Sequence, residues 1–333
     1  LIARADVVLA LGTRLNPFST LPGYGLDYWP KTAKIIQVDI NADRIGLTKK
    51  VTVGICGDAR QVAQQILEKL SPKAGDAGRT ERKAVIHQTK SAWLQKLSSM
   101  DHEDDDPGTT WNEDARKRDA DRMSPRQAWR AIQAGLPANA TISSDIGNNC
   151  AIGNAYPTFE EGRKYLAPGL FGPCGYGLPS IIGAKIGKPE VPVFGFSGDG
   201  AFGISINEMT SICRDEWPAI TMIIFRNYQW GAEKRNSILW YDNNFVGTEL
   251  DPKLSYAKIA EACGFKGVTV RTQSETTAAL KKAAEDQAKG VTTFIEVILN
   301  QELGEPFRRD AMKKPVAIAG ISKSDMRLQK GAA

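Results

Sequence analysis

The stretch from Phe194 to Trp230 constrains this chain most. It reads Phe194-Gly195-Phe196-Ser197-Gly198-Asp199-Gly200-Ala201-Phe202, then a helix-length segment, then Ile220-Thr221-Met222-Ile223-Ile224-Phe225-Arg226-Asn227. Two apolar runs separated by a glycine turn and a helical segment predict a βαβ unit, whose strands must be parallel. In a right-handed unit the carboxyl ends of neighbouring strands lie on one edge of the sheet. The spacing therefore brings Asp199 and Asn227 together.

A carboxylate, an amide oxygen and a nearby backbone carbonyl are hard donors that suit Mg²⁺, with waters and substrate phosphates completing its octahedron. Gly198 and Gly200 let the backbone approach a phosphate, and a helix predicted from near Ala201 offers free N–H groups and a positive dipole end. The pattern predicts a Mg²⁺-diphosphate clamp. The same spacing fits a plain crossover whose aspartate caps a helix, and spacing alone leaves both readings open.

At 333 residues the chain can hold one large or two ordinary domains. Its net charge of +5 comes without a dense Lys/Arg block, which argues against nucleic acid as the main partner. Five scattered cysteines without a C-x-x-C pair fit reduced thiols in a cytoplasmic protein, and two histidines leave little room for histidine catalysis or a His-rich zinc site. No apolar run is long enough to span a membrane. The sequence opens on Leu1 and runs straight into a strand, as if cut inside a domain.

The apolar runs Val7–Leu11, Lys34–Ile40 and Val51–Cys56 alternate with loop or helical crossovers and predict a first parallel α/β layer over 1–70, incomplete at its N-terminus. Without G-x-G-x-x-G, Gly12 and Asp39 carry no specific cofactor signal. Residues 71–123 read as a charged linker with a helix near 84–97; its acidic run Asp101–Gly108 is expected to be a solvated segment. Ser124-Pro125-Arg126-Gln127 is a capping box with proline at the first helical position, and opens a second domain over 124–300. There, a strand runs into Gly147-Asn148-Asn149, whose amides can reach the same sheet edge or cap the next helix. Gly172-Pro173-Cys174-Gly175-Tyr176-Gly177 is a tight turn in which a buried Cys174 acts as an apolar shelf. Tyr228-Gln229-Trp230-Gly231 places aromatic groups near the predicted ion, Ser274 is the expected cap of a late helix, and 301–333 is a basic surface tail. The fold class is α/β, with two doubly wound parallel-sheet domains.

Ile182-Gly183, Pro189 and Phe194-Gly195-Phe196-Ser197-Gly198-Asp199-Gly200-Ala201, with Asn227 downstream, resemble the signature of thiamine-diphosphate enzymes. The resemblance implies thiamine diphosphate and Mg²⁺ as cofactors, with Asp199, Asn227 and the Gln229 backbone carbonyl as metal ligands. It also implies a cofactor-binding set of Asn148, Asn149, Gly172, Cys174, Gly175, Gly198, Asp199, Gly200, Ala201, Asn227, Gln229, Trp230 and Gly231, with Cys174 supporting the bent cofactor. Related synthases carry Gln-His where this chain has Asn148-Asn149. Residues 1–70 are similar to the end of the family's central domain and 124–300 to its diphosphate-binding domain. The segments Phe171–Gly177, Arg226–Lys234 and Pro306–Asp310 resemble the family branch acting on a sulfonated aldehyde, which implies sulfoacetaldehyde and phosphate as substrates and a homo-oligomer, dimer or tetramer. Acetolactate-synthase-like carboligation, sulfopyruvate decarboxylation and a non-catalytic binding module that keeps the fold are the alternatives. Family members also use a glutamate against the aminopyrimidine, carried on an N-terminal domain of the partner subunit. No segment here matches it, so the catalytic residue is expected outside this chain.

Overall fold

The computed structural model describes residues 1–15, 29–70, 77–100, 117, 119–159, 164–169, 171–214, 216–241 and 244–302. The acidic run Asp101–Gly108 and the tail from residue 303 onward, with Phe307-Arg308-Arg309-Asp310, lie outside the described residues. Residues Leu1–Ser98 form one compact unit, and the described part of Ser99–Phe307 forms another.

In the first unit β1 (Val7–Leu11), β2 (Lys34–Asp39) and β3 (Val53–Cys56) make a parallel sheet in the order β1-β2-β3. Helix α1 (Ala59–Lys69) follows β3, its first turn capped by Asp58, which accepts the Gln61 N–H at 2.9 Å. Helix α2 runs Ala77–Met100, longer at both ends than the 84–97 expected from sequence.

The second unit opens with α3 (Pro125–Gly135) and its capping box: Ser124 Oγ accepts the Gln127 N–H at 3.1 Å, and Gln127 Oε1 accepts the Ser124 N–H at 3.0 Å. There follow β4 (Thr141–Ser144), α4 (Asn148–Gly153), β5 (Tyr165–Leu166), α5 (Gly177–Gly187), β6 (Val193–Gly198), α6 (Asp199–Ser205), α7 (Glu208–Ile212) and β7 (Thr221–Arg226). The unit closes with α8 (Gly231–Trp240), α9 (Tyr256–Ala262), β8 (Lys266–Val270), α10 (Gln273–Ala288) and β9 (Thr293–Ile298). The six strands are parallel in the order β5-β4-β6-β7-β9-β8. The chain moves outward from β4 to β5 and then returns to the other side of β4, so the winding reverses between β4 and β6. Ligands of open α/β sheets bind beyond the strand ends at such a reversal.

Continuous apolar runs are what a central parallel strand needs, because helices cover both of its faces. On one face Ile181, Phe202, Met222, Ile224 and Phe294 form a core; on the other Trp129 packs on Phe196 and Phe225 at 4.8 and 5.2 Å between ring centroids. Thr277 Oγ1 of α10 donates to the Ala131 carbonyl of α3 at 3.0 Å, joining the helices of that layer.

Three local expectations change. Helix α10 is capped by Thr272 and not by Ser274, because Glu275 lies three residues after Thr272 and reaches back to its N–H at 3.2 Å, while Ser274 has no such partner. Asn148 and Asn149 do not cap α4; they are its first residues, after Gly147 at φ 134°. The helix expected from near Ala201 starts at Asp199, so Asp199 ends no strand but stands in the first helical turn.

Candidate functional site

Beyond the carboxyl ends of β4, β6 and β7 the connecting segments meet, since Ser144 is level with Phe196 and Gly198 with Phe225 in the ladder. Eleven of the residues singled out from sequence line one cavity of about 70 Å³: Asn148, Asn149, Cys174, Gly198, Asp199, Gly200, Ala201, Asn227, Gln229, Trp230 and Gly231. Gly172 and Gly175 do not line it. They shape the turn that carries Cys174, at φ 69° and 89°, and the Gly175 N–H donates to Asp145 Oδ1 at 3.0 Å. Two larger clefts, of about 490 Å³ beside Arg130 and Lys281 and about 440 Å³ beside Trp29 and Lys49, contain none of these residues.

Asp199 is 1% exposed. Its Oδ2 accepts the Tyr228 N–H at 2.7 Å and Arg226 Nη1 at 3.0 Å, and its Oδ1 accepts the Gly200 N–H at 3.0 Å. Burial pushes the carboxyl up to about 6, although the Arg226 guanidinium and these hydrogen bonds oppose the rise. One terminal atom of the Asn227 amide lies 3.2 Å from Asp199 Oδ1 and 3.2 Å from the Gln229 carbonyl oxygen; the other faces the Asn149 amide nitrogen at 3.2 Å. Between Asn227 and Gln229 stands Tyr228 at φ 62°, a left-handed conformation that costs a non-glycine residue energy and is common where a site dictates the backbone.

With the amide nitrogen toward the two acceptors, Asn227 makes ordinary hydrogen bonds; with its oxygen there, three oxygens converge. The second arrangement is stable only around a cation, and its donors, one carboxylate, one amide and one carbonyl, are those of a hard divalent ion. Further, both amide atoms of Asn148, Asn149 Oδ1 and Gln229 Oε1 are buried without a partner. Orphaned buried polar atoms cost about 1–3 kcal/mol each, so four in one cavity mark a place built for a polar ligand. The residues fit a cation-bound diphosphate. Among the described residues no group of three or more His, Cys, Asp or Glu gathers, so softer metals have no comparable donor set.

The cavity wall depends on Gly200, where a Cβ would come within 2.7 Å of the Trp230 ring. Cys174 is half-buried, not buried as expected. Burial, then the charges of Asp145 and Glu233, raises its thiol, so it presents an uncharged, weakly polar surface and not a thiolate. Tyr228, read from sequence as an aromatic group near the ion, lies behind the cavity with two residues to which the sequence reading gave no role, Arg226 and Glu296. A lone charge inside an apolar strand, Arg226 in β7 and Glu296 in β9, is the signal that marks them.

A wholly parallel doubly wound sheet with an oxygen-lined cleft at its reversal defines an α/β protein of the class that binds ligands beyond its strand ends. Residues 145–297 match the sequence model described as "Thiamine pyrophosphate enzyme, C-terminal TPP binding domain", and residues 1–66 match "Thiamine pyrophosphate enzyme, central domain". The chain belongs to the thiamine pyrophosphate enzyme family. It is 80% identical over 330 residues to a "Probable sulfoacetaldehyde acetyltransferase" of Rhizobium meliloti, covering 99% of this chain and 56% of that protein. It is 74% identical over 329 residues to a "Sulfoacetaldehyde acetyltransferase" of Roseovarius nubinhibens, covering 99% and 55%. The chain thus spans about half the length of the curated relatives it matches. Among solved structures, a thiamine diphosphate-dependent 4-hydroxybenzoylformate decarboxylase of Rhodococcus jostii RHA1 shares the fold with a TM-score of 0.66 at 19% identity, over 90% of this chain and 50% of that one. No helix among the described residues is long and apolar enough to cross a membrane.

Proposed function

We propose that this chain supplies the metal-and-diphosphate half of a thiamine-diphosphate site, in an acyltransferase that converts sulfoacetaldehyde and phosphate to acetyl phosphate and sulfite. The observation that carries the first part is the Asn227 amide lying 3.2 Å from both Asp199 Oδ1 and the Gln229 carbonyl, beside the unpartnered Asn148 amide and Asn149 Oδ1. Mg²⁺ suits those three oxygens, and the diphosphate suits the Gly198–Ala201 turn and the asparagine amides. The identity of 74–80% to proteins named sulfoacetaldehyde acetyltransferase supports the second part.

Thiamine diphosphate, when bound, supplies the nucleophilic carbon that takes up the aldehyde. The residues of this chain hold and orient. Asp199 and Asn227 place the charge that anchors the diphosphate, Trp230 seals the cavity against Gly200, and Cys174 offers an uncharged shelf. The reaction balances without an oxidant: the carbon–sulfur bond breaks as sulfite leaves, and phosphate takes the acetyl group. The substrates are small molecules, and the assembly is a homo-oligomer.

The test is the complete natural protein assayed with sulfoacetaldehyde, with and without phosphate and Mg²⁺. Equal formation of sulfite and acetyl phosphate, dependent on both additions and abolished by Asp199→Ala, is the expected outcome. Turnover of pyruvate or sulfopyruvate with release of CO₂, and none of sulfoacetaldehyde, would overturn it.

A further inference from the structure

Arg226 ends β7 and is wholly buried, a costly place for a guanidinium unless its charge and donors are matched. Its charge is met by two carboxylates and its two terminal nitrogens have acceptors, while Nε has an ion-pair neighbour but no hydrogen-bond partner. Nη1 donates to Asp199 Oδ2 at 3.0 Å; Nη2 donates to the carbonyls of Asp251 and Leu254 at 2.5 and 3.1 Å; Nε faces Glu296 Oε1 at 3.6 Å. The guanidinium carbon also lies 4.2 Å from the centre of the Tyr228 ring, the residue held at φ 62°, and 5.3 Å from that of Tyr256. Tyr256 closes the circle, its hydroxyl donating to the Asp199 carbonyl at 2.9 Å.

Glu296 in turn is fixed. It accepts from the Ser255 hydroxyl at 2.7 Å and from the Tyr256 N–H at 3.2 Å, at the start of α9. One arginine therefore lies between two buried carboxylates and leaves one net negative charge, which sits where Asn227 and Gln229 offer their oxygens.

We propose that Arg226, anchored by Glu296, is a positioning residue that makes Asp199 a one-oxygen ligand. With Oδ2 occupied by the guanidinium and the Tyr228 N–H, only Oδ1 is presented to a cation. Stacking on Tyr228 holds the left-handed turn that aims the Gln229 carbonyl at the same point. A single-oxygen carboxylate in a rigid frame favours Mg²⁺, which demands near-octahedral geometry; a free carboxylate can turn both oxygens to the larger Ca²⁺. The arginine would thus set which ion the site prefers. This rests on the metal reading above.

The experiment follows quenching of tryptophan fluorescence, with Trp230 on the cavity wall, as Mg²⁺ or Ca²⁺ is titrated into the complete protein at fixed thiamine diphosphate. Two variants are compared with the unaltered protein: the pair Arg226→Met with Glu296→Gln, which strands no charge on the Glu296 side, and Glu296→Gln alone. The expected result for the pair is a Mg²⁺ half-saturation raised about 10- to 100-fold, and a Ca²⁺-to-Mg²⁺ preference shifted about tenfold toward Ca²⁺. Glu296→Gln shifts the preference the same way by less. A purely structural role would weaken both ions equally, so an unchanged preference in either folded variant overturns the inference. If quenching in the unaltered protein needs no divalent ion, the metal reading falls and takes the inference with it.

Discussion

Asp39 and Asp58, at or just beyond strand ends of the first sheet, and Asp145 and Asp199, just beyond strand ends of the second, are the same residue type in similar places and do different work. Asp39 accepts the N–H of Asn41, two residues on, and Asp58 that of Gln61, three residues on. Asp199 instead holds Arg226 and Tyr228, 27 and 29 residues away, and Asp145 holds Gly175, Gly177 and Ser197, 30 to 52 residues away. A carboxylate satisfied by its own turn is a local device, a turn bond at Asp39 and a helix cap at Asp58, the cap worth about 1 kcal/mol. One satisfied by other strands and loops fixes those loops relative to each other, which is what a preformed site requires. The difference separates the two readings that Asp199 admits from spacing alone.

The largest effect is expected at Asp145. Asp145→Ala leaves the N–H groups of Ile146, Gly175 and Gly177 without their acceptor and unties the turn carrying Cys174. At about 1 kcal/mol or more for each orphaned donor, the loss is about 3 kcal/mol in urea unfolding. A loss as small as that of a simple cap would break the comparison. Next is Gly200→Ala, whose methyl would have to displace the Trp230 ring. A cost of about 1–3 kcal/mol and a changed tryptophan emission are expected; unchanged emission would show that the ring does not close the cavity. In the first sheet Asp58→Ala should cost about 1 kcal/mol, read in the same unfolding experiment, because only one N–H at the start of α1 loses its partner.

What the sequence reveals follows from this contrast. The βαβ unit, the meeting of Asp199 with Asn227 and the Ser124–Gln127 box are legible because each depends on short spacing or one crossover. The partnership of Arg226 with Glu296 is not, since it needs β9 beside β7, with β8, earlier in the chain, placed outside both. Nor does a sequence show that Trp230 lies over Gly200, or that Tyr228 adopts a left-handed conformation usually left to glycine or asparagine. These depend on the assembled sheet edge. The missed cap at Thr272 differs, for it was within reach: the glutamate three residues on was the cue.

That cap supplies the smallest expected effect and the only one set by pH. Glu275 is held below its ordinary 4.5 chiefly by the Arg271 N–H, with the Thr272 N–H and hydroxyl adding to it. A carboxyl lowered by folding adds stability above its unfolded value, near 4.5, and loses it as pH falls through the lower folded value. The α10 start should therefore weaken only in acid, below about pH 4.5, and Glu275→Gln should remove that portion of the acid sensitivity while leaving stability at pH 7 slightly reduced. Amide exchange of the first α10 residues from pH 3 to 6 reads this directly. If Glu275→Gln leaves the acid dependence of those amides unchanged, the side chain belongs with solvent and not with the box, and the start of α10 would be held by the Thr272 hydroxyl and by packing of the helix on α3 and the sheet.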